Sequence, residues 1–401
     1  MTSPSHGPVW DRGDPIDPDM LAFTIGDDPA WDRRLVPFEL AGSVAHVRGL
    51  ARAGLLRQDE ADALVTVLDE LGDEHRRGSW TVRDDEEDVH SAVERRVTER
   101  LGPLGAKLHT GRSRNEEIAL DLALWLRSAR AEVIGLLDDV RAALAERTSA
   151  VGATPLPGYT HLRRAMPSTV GDWLGAHARA FELDADDVRA SERRASRCPL
   201  GSGAGYGVPL PLEREYVAEL LEFDAPETPV TVVQHARGRA ELAYVTALEA
   251  IALDVGKLAA DLWLFTTSEF GFARLPVALT TGSSLMPHKR NPDLVELLRA
   301  HARQVVGERQ RLLDVLRDLP SGYHRDFQLL KPPLFGAHDR IVRLLPLVAR
   351  LLRGFELDHA ALAAAMDDPA LEATRRALDA ARLGTPFREA FVAESRRAND
   401  V

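Results

Sequence analysis

The sequence predicts a mainly helical protein built around several long helices. Between Asn115 and Thr148, apolar residues recur at alternating steps of three and four, which is the spacing of one face of an α-helix. Similar patterns run over about residues 165–196, 240–266 and 292–319, and strand-like alternation is almost absent. Long helices of this kind bury their apolar faces against one another, so the patterns predict a helical bundle. We expect further subunits to cover the remaining apolar surface.

Breaks in the helical pattern divide the chain into three predicted parts. Residues 1–107 carry shorter helical patterns, including one near residues 60–71, and residues 108–343 hold the long helices. Residues 344–401 are predicted to form a small helical domain. Polar or glycine-rich segments separate the long helices, and they are the candidates for a functional site; they cover residues 108–117, 155–167, 282–293 and 321–333.

The composition restricts the class of protein. The chain has 401 residues, a formal net charge of −12 at pH 7 and 45% hydrophobic residues, which argues against general electrostatic binding of nucleic acid. Cys198 is the only cysteine, so neither an internal disulfide framework nor a cysteine zinc site is expected. The first residues lack the apolar core of a signal peptide, and no apolar run reaches membrane-spanning length. We therefore expect a cytoplasmic protein with no membrane partner.

The segment LHTGRSRNEE, residues 108–117, places hydroxyls, arginines and an amide where the first long helix begins. Free backbone N–H groups at a helix N-terminus favour an anion. Taken alone, Ser113 or Asn115 is explained more simply as a helix cap. Glu116 and Glu117 are either favourable first-turn carboxylates or a source of negative charge near a ligand. The segment is thus compatible with an anion site without requiring one.

Two further segments carry more functional groups than a connection needs. PLPGYTHLRRAMP places His161 beside Thr160 before a helix start marked by proline, although a lone histidine is more often structural. In GSSLMPHKRNPD, residues 282–293, the sequence Asn-Pro-Asp predicts a helix start with a capping asparagine at position 291. That interpretation leaves Ser283 and Lys289 unexplained.

GSGAG at 201–205 is predicted to be a turn, since no strand precedes it.

Together these segments resemble a known family. LHTGRSRN, PGYTHL, GSSLMPHKRNP and YHRDFQLLK, in this order, are similar to the argininosuccinate lyase branch of the fumarase/aspartase superfamily, and the resemblance covers about residues 20–390. It implies a three-domain, mainly helical subunit with a central bundle of long helices. It also implies a homotetramer whose active sites combine residues from three subunits. The implied reaction is β-elimination of fumarate from an N-succinyl compound, most closely argininosuccinate in arginine biosynthesis, without metal or cofactor.

The resemblance also implies roles for individual residues. Ser283 would be the base that removes a proton next to a carboxylate, with Lys289 and the loop amides stabilising its alkoxide. His161 would protonate the departing amine, directly or through water, with Glu296 orienting it. Donors aimed at the charged carboxylate of the substrate lower the barrier. The implied substrate-binding set comprises Asp28, Thr110, Ser113, Arg114, Asn115, Thr160, Asn291, Tyr323, Gln328 and Lys331.

The leaving-group half of the implied site departs from the family pattern. Asp28 stands where the family usually has a serine that touches the arginine moiety. Asn115 is followed by two glutamates in place of aspartate and glutamine, and the loop reads HKR in place of QKK. The fumarate half is intact, so the reaction class is better defined by the sequence than the substrate is.

Three functional hypotheses follow. The first is argininosuccinate lyase itself. The second is a paralogue that cleaves, or in reverse forms, another N-substituted aspartate in a secondary pathway. The third is a non-enzymatic, crystallin-like protein on the same fold, against which the presence of Ser283, His161 and Lys289 argues. Adenylosuccinate lyase and aspartase fit the segments HTGRSRN and GYTHL poorly.

Overall fold

A computed structural model describes residues 16–399, and its fold is mainly helical, as predicted. The α-helices are α1 (Pro18–Ile25), α2 (Asp28–Asp32), α3 (Val36–Arg52), α4 (Gln58–Arg76), α5 (Val89–Leu101), α6 (Arg114–Val151), α7 (Val170–Ala190), α8 (Arg214–Leu220), α9 (Val232–His235), α10 (Arg239–Phe265), α11 (Asp293–Leu316), α12 (Lys331–Gly354), α13 (His359–Met366), α14 (Ala373–Arg382) and α15 (Phe387–Asn399). Short 3₁₀ helices cover Gly102–His109, Ser191–Arg194, Val277–Leu279, Arg325–Leu330 and Pro369–Glu372. No helix within residues 16–399 combines the length and apolar character that a bilayer crossing requires.

The strands of the described residues are short and form two-stranded ladders. They are β1 (Pro155–Thr160), β2 (Arg163–Thr169), β3 (Arg197–Cys198), β4 (Ala225–Pro226), β5 (Ala273–Arg274), β6 (Thr281–Gly282), β7 (Arg290–Asn291) and β8 (Glu356–Leu357). β1 pairs with β2, β5 with β8 and β6 with β7, all antiparallel, and β3 pairs with β4 in parallel. The ladders β1–β2 and β6–β7 close local turns, β3–β4 and β5–β8 join segments that are distant in sequence, and none of them forms a sheet core.

The chain forms two compact units, each assembled from three stretches of sequence. Among the described residues, the first unit takes 16–131 together with 189–246 and 308–337. The second takes 132–188, 247–307 and 338–399. Each of α6, α10, α11 and α12 contributes residues to both units. The division into three parts at residues 107 and 343 stays a prediction, and residue 343 lies within α12.

The core of the first unit lies where α3, α6 and α8 meet. Leu120, Leu200 and Cys198 are buried there with Ala45 and Val217. Helix α3 approaches α6 closely because it has a glycine at the contact: a Cβ on Gly42 would lie 2.6 Å from the Leu120 side chain. Burial raises the pKa of the Cys198 thiol to about 12, so the thiol stays protonated and acts as a small apolar group.

An aromatic cluster of the second unit surrounds the half-buried Trp173 on α7. Its ring lies 5.2 Å from that of Phe265 and 6.0 Å from that of Phe355, both in edge-on arrangements that aromatic pairs favour. The Trp173 indole N–H donates to the Asp261 carboxylate at 2.9 Å, and His177 Nε2 lies 3.1 Å from the same oxygen. The indole N–H of Trp173 therefore has a hydrogen-bond acceptor although its ring packs against other aromatic rings.

Residues 155–169 are a β-hairpin, so the helix predicted to begin at residue 165 was placed too early. Pro157 lies opposite Pro167 across the hairpin, and proline here belongs to a strand and does not mark a helix start. Helix α7 begins at Val170, after Thr169. The Thr169 hydroxyl accepts from the Asp172 N–H at 3.0 Å, and the Asp172 carboxylate accepts from the Thr169 N–H at 3.2 Å. This capping box sets the true helix boundary.

The helix predicted to be capped by Asn291 also begins later. Asn291 lies in β7 opposite Thr281, and α11 starts at Asp293. The Asp293 carboxylate accepts a hydrogen bond from the Thr281 hydroxyl, which ties the helix start to β6. The segment between β6 and β7, residues 283–289, is consequently a closed loop at the start of a long helix.

Candidate active site

The first unit contains a cavity of about 580 Å³ lined by residues from distant parts of the chain. Its walls come from α2, the segment leading into α5, the start of α6 and the segment leading into α12. The lining residues are Asp28, Asp32, Glu87, Asp88, His90, His109, Arg112, Ser113, Arg114, Asn115, Ile118, Arg237, Tyr323, Arg325, Phe327, Gln328 and Lys331. Both carboxylates and cations line it, which suits a zwitterionic ligand.

Most of the predicted substrate-binding residues of the first unit meet at this cavity. They are Asp28, Ser113, Arg114, Asn115, Tyr323, Gln328 and Lys331. Thr110 is the exception: it does not line the cavity, and its carbonyl oxygen lies 3.0 Å from the buried His46 Nε2. Within this unit the structure thus brings together segments that the sequence places about 300 positions apart.

Lys331 lies at one end of the cavity between two carboxylates. Its ammonium group donates to Asp32 at 2.5 Å and lies 3.1 Å from Asp28. Asp32 also accepts from the Val89 N–H at 3.0 Å, so it joins α12 to the start of α5. Burial alone would lower the pKa of Lys331, but Asp32 and Asp28 raise it above its ordinary value. Lys331 is therefore a permanent cation.

Asp28 is the weaker partner of this ammonium group. Burial raises its pKa to about 7, opposed by Lys331 and reinforced by the neighbouring carboxylate of Asp32. One ammonium group does not compensate two buried carboxylates equally, and the less favourably placed one retains its proton more readily. Asp28 consequently titrates near neutral pH at the edge of the cavity.

The start of α6 is held by a capping box that also faces the cavity. Ser113 Oγ accepts from the Asn115 N–H at 3.3 Å, and Glu116 accepts from the Ser113 N–H at 3.2 Å. The simple capping interpretation of Ser113 therefore describes its contacts, and the residue lines the cavity at the same time. Arg112 is buried beside it, 2.7 Å from Glu117 and 3.6 Å from Glu39.

Glu116 points away from the cavity into a glycine-rich turn. Its carboxylate accepts from the Gly203 N–H at 2.7 Å and lies 3.4 Å from the Ser202 hydroxyl. Gly201, Gly203 and Gly205 all have positive φ, so residues 201–205 form the turn that the sequence predicts. Burial raises the pKa of Glu116 to about 7. Glu116 thus anchors the start of α6 and adds no charge to the cavity lining.

An acidic segment before α5 supplies cavity residues that the sequence interpretation missed. Asp88 caps α5 by accepting from the Ser91 N–H at 2.8 Å, and both Glu87 and Asp88 form ion pairs with Arg114. The signal was present as an Asp-x-x-Ser cap within DEEDVHS, but a run of acids is more often a solvated surface. Here it holds Arg114 against the cavity.

His90 is a second cavity residue that was not predicted. Its Nδ1 lies 2.8 Å from Glu39 and 3.9 Å from Asp121, and these three buried side chains are the one group within residues 16–399 with ligand spacing suited to a metal ion. Burial favours the neutral form of His90, yet Glu39 overrides it and raises the pKa to about 10. A protonated His90 already supplies the cation, so this group is an internal ion-pair network.

The predicted general acid and its neighbour Thr160 belong to the second unit. Thr160 and His161 are exposed at the tip of the β1–β2 hairpin. His161 and Leu162 form its two-residue turn with φ of 54° and 56°, a region that residues with a Cβ seldom adopt. The His161 side chain has no hydrogen bond or ion pair with residues 16–399 of its own chain.

The predicted base lies in the loop between β6 and β7, also in the second unit. Ser283 Oγ accepts from the N–H groups of Leu285 and Met286 at 3.3 and 3.0 Å. Two backbone donors aimed at one hydroxyl oxygen stabilise negative charge on it. Lys289 is exposed in the same loop, and the Asn291 amide donates weakly to the Gly282 carbonyl at 3.5 Å.

Glu296 follows on the first turn of α11, and its partner within the chain is a tryptophan. Its carboxylate accepts from the Trp263 indole N–H at 3.3 Å. The predicted pairing of Glu296 with His161 does not occur among the described residues of one chain. It stays a prediction for an assembly in which the two residues come from different subunits.

Comparison with known proteins agrees with the resemblance seen in the motifs. The sequence model of a family described as Lyase matches residues 22–307. Argininosuccinate lyase of Sorangium cellulosum (strain So ce56) is 42% identical over 383 residues, covering 96% of this chain and 89% of the relative. Argininosuccinate lyase of Stenotrophomonas maltophilia (strain R551-3) is 41% identical over 394 residues, covering 98% and 91%.

Solved structures share the fold at lower identity. EDDS lyase in complex with formate superposes with a TM-score of 0.79 at 22% identity, covering 93% of this chain and 74% of that one. The class II fumarase of Schistosoma mansoni superposes with a TM-score of 0.75 at 16% identity, covering 93% and 90%. These likenesses confirm the predicted fold class.

Proposed function

This chain belongs to the argininosuccinate lyase family of the fumarase/aspartase superfamily, and we propose that it cleaves argininosuccinate to arginine and fumarate. The reaction is a carbon–nitrogen β-elimination. The leaving group carries a guanidinium, an α-amino group and an α-carboxylate, so the pocket that receives it must offer both signs of charge.

The observation that carries the proposal is the composition of the cavity in the first unit. Asn115, Tyr323 and Gln328 supply neutral polar groups, and Lys331 is held in place by its two carboxylates. Gln328 is itself oriented, since its amide donates to the Ile25 carbonyl at 2.7 Å. A zwitterionic amino acid finds a partner here for each of its charged ends.

The chemistry divides between a base and an acid. Ser283, as alkoxide, removes the proton from the carbon next to a carboxylate, and the amides of Leu285 and Met286 stabilise the charge on its oxygen. Lys289 and Asn291 then bind the carboxylate onto which the carbanion charge spreads. His161 delivers a proton to the departing nitrogen, so that the electron pair of the broken carbon–nitrogen bond becomes an N–H bond and no nitrogen anion has to leave.

The assembly that joins these parts is a homotetramer. The exposed His161 side chain has no hydrogen-bond or ion-pair partner within residues 16–399 of its own chain, and Glu296 lies exposed on the first turn of α11. A second subunit supplies the carboxylate that orients the imidazole and the Ser283 loop that closes the site. Each active site thereby combines segments of three subunits. Thr160 of one subunit and Ser113 of another contact the carboxylates of the succinyl group.

A panel of N-substituted aspartates tests the proposal. Fumarate release is followed by ultraviolet absorbance with argininosuccinate, adenylosuccinate, aspartate and N-alkyl aspartates at equal concentration. Argininosuccinate should give the highest kcat/KM of the panel. A higher value with any other member contradicts the proposed substrate, and no fumarate from any of them contradicts the proposed reaction.

The carboxyl group of Asp28 in the cavity wall favours a second candidate, a paralogue acting on an amine without a carboxylate. An ionised Asp28 repels a carboxylate on the leaving group and attracts a cation. If this candidate holds, Asp28→Ser raises kcat/KM for argininosuccinate and lowers it for a carboxylate-free amine. If Asp28→Ser only impairs argininosuccinate cleavage by an active wild type, the chain is an ordinary argininosuccinate lyase.

A further inference from the structure

The tip of the hairpin that carries His161 faces an open space on one side. A cavity of about 1050 Å³ lies between its tip, residues 266–274 and the segment that contains α13. Leu162, Arg163 and Arg164 form the hairpin wall of this cavity. A strained two-residue turn beside an open space needs another restraint to keep one conformation.

The structure provides this restraint on the far side of the cavity. Arg164, next to the turn in β2, forms an ion pair with Asp368 at 3.3 Å. The Asp368 carboxylate also accepts from the Ala370 N–H at 3.0 Å and so caps the 3₁₀ helix Pro369–Glu372. At the same level of the hairpin, the ring of Tyr159, the cross-strand partner of Arg164, lies 5.6 Å from that of Phe270, and α13 packs against β1.

We propose that the Arg164–Asp368 ion pair is a positioning device for the general acid, which fixes the His161 turn by tying it to the C-terminal segment. The inference rests on the proposed role of His161. The pair contributes to catalysis through the position of the imidazole and does not contribute materially to folding. The side chains of Arg164 and Asp368 are 42% and 29% exposed, and ion pairs of that exposure add little to stability.

A neighbouring ion pair serves as the matched control. Arg274 and Asp358 line the same cavity and lie 2.5 Å apart, but neither belongs to the hairpin. Arg274→Gln removes a charge contact of the same kind from the same cavity. Asp368→Asn and Arg164→Gln remove the contact to the hairpin, and the asparagine retains an acceptor for the Ala370 N–H.

The test is steady-state cleavage of argininosuccinate by the full-length tetramer, with Tm recorded for every variant. Asp368→Asn and Arg164→Gln should each lower kcat by about 3–10-fold with KM and Tm nearly unchanged, since small misplacements of a catalytic group are costly. The double variant should be no slower than the slower single variant, because both changes remove one contact. Arg274→Gln should keep the parental kcat.

Two results overturn the inference. One is a kcat for Asp368→Asn equal to that of Arg274→Gln, and the other is a double variant whose losses multiply. His161→Asn distinguishes this failure from failure of the proposed function. If His161→Asn is inactive while Asp368→Asn and Arg164→Gln are fully active, only the positioning role is wrong; if His161→Asn retains parental kcat, the proposed acid is wrong as well.

Discussion

The stability of the Asp28→Asn variant relative to wild type should be greater at high pH than at low pH. Burial raises the Asp28 pKa to about 7, whereas an unfolded chain leaves it near its ordinary value of about 4. The folded state therefore holds a proton that the unfolded state releases. Stability is lost as the pH rises from about 4 to 7, and the loss is complete above the folded pKa.

The magnitude follows from the size of the shift. Each pKa unit corresponds to about 1.4 kcal/mol. Between pH 5 and pH 8 the contribution of Asp28 to the free energy of unfolding therefore falls by about 2–3 kcal/mol. The Asp28 side chain is only 15% exposed, so solvent screening removes little of this difference. With an unfolding entropy of about 2.1 cal/mol/K per residue, 401 residues convert it to about 3 °C in Tm.

The assay is thermal unfolding of wild type, Asp28→Asn and Asp27→Asn at pH 5 and pH 8. Asp27 is the matched control because it is the neighbouring acid, is exposed and makes no capping hydrogen bond. The Tm difference between Asp28→Asn and wild type should rise by about 3 °C from pH 5 to pH 8, while Asp27→Asn shows no such change. An unchanged difference would show that Lys331 compensates both carboxylates, and the reasoning would be refuted.

Three further outcomes concern catalysis. Ser283→Ala should lower kcat by about 10²–10⁴-fold without loss of helix content or subunit assembly, and activity within about threefold of the parent would exclude Ser283 as the base. His161→Asn should slow substrates with strongly basic leaving amines most, as judged by kcat across the substrate panel; an equal effect on all amines would mean that His161 only positions the substrate. Tetramers refolded from a mixture of these two inactive variants should regain activity, since some sites then contain neither substitution, and mixtures no better than either variant would mean that each subunit carries a complete site.

The long helices were predictable because their signal is local. The pattern over residues 115–148 corresponds to α6 at 114–151, and the pattern over 240–266 corresponds to α10 at 239–265. A continuous apolar stripe over more than twenty residues has few ways to be buried other than as a helix. The turn at residues 201–205 was predictable for a similar reason, since glycines with positive φ need no tertiary partner.

The hairpin at residues 155–169 was not predictable from local periodicity. Its two strands pair although prolines lie opposite each other at positions 157 and 167, and its turn uses His161 and Leu162 where glycine or asparagine is usual. Both features run against local preference and are held by contacts with other segments. The sequence identified His161 only through the family resemblance, and it contained no signal for the pairing of Arg164 with Asp368.

The cavity likewise combines features that the sequence predicts with features that depend on tertiary packing. The sequence by itself determined the fold class, the long helices and the motifs that supply Ser113, Asn115 and Lys331. Only the tertiary structure decided that the acidic segment before α5 is buried, and that Lys331 lies between Asp28 and Asp32, although Asp32 and Lys331 are 299 positions apart. Charge and proton affinity in a low-dielectric interior depend on which groups are neighbours in space, and that information exists only once the helices have packed.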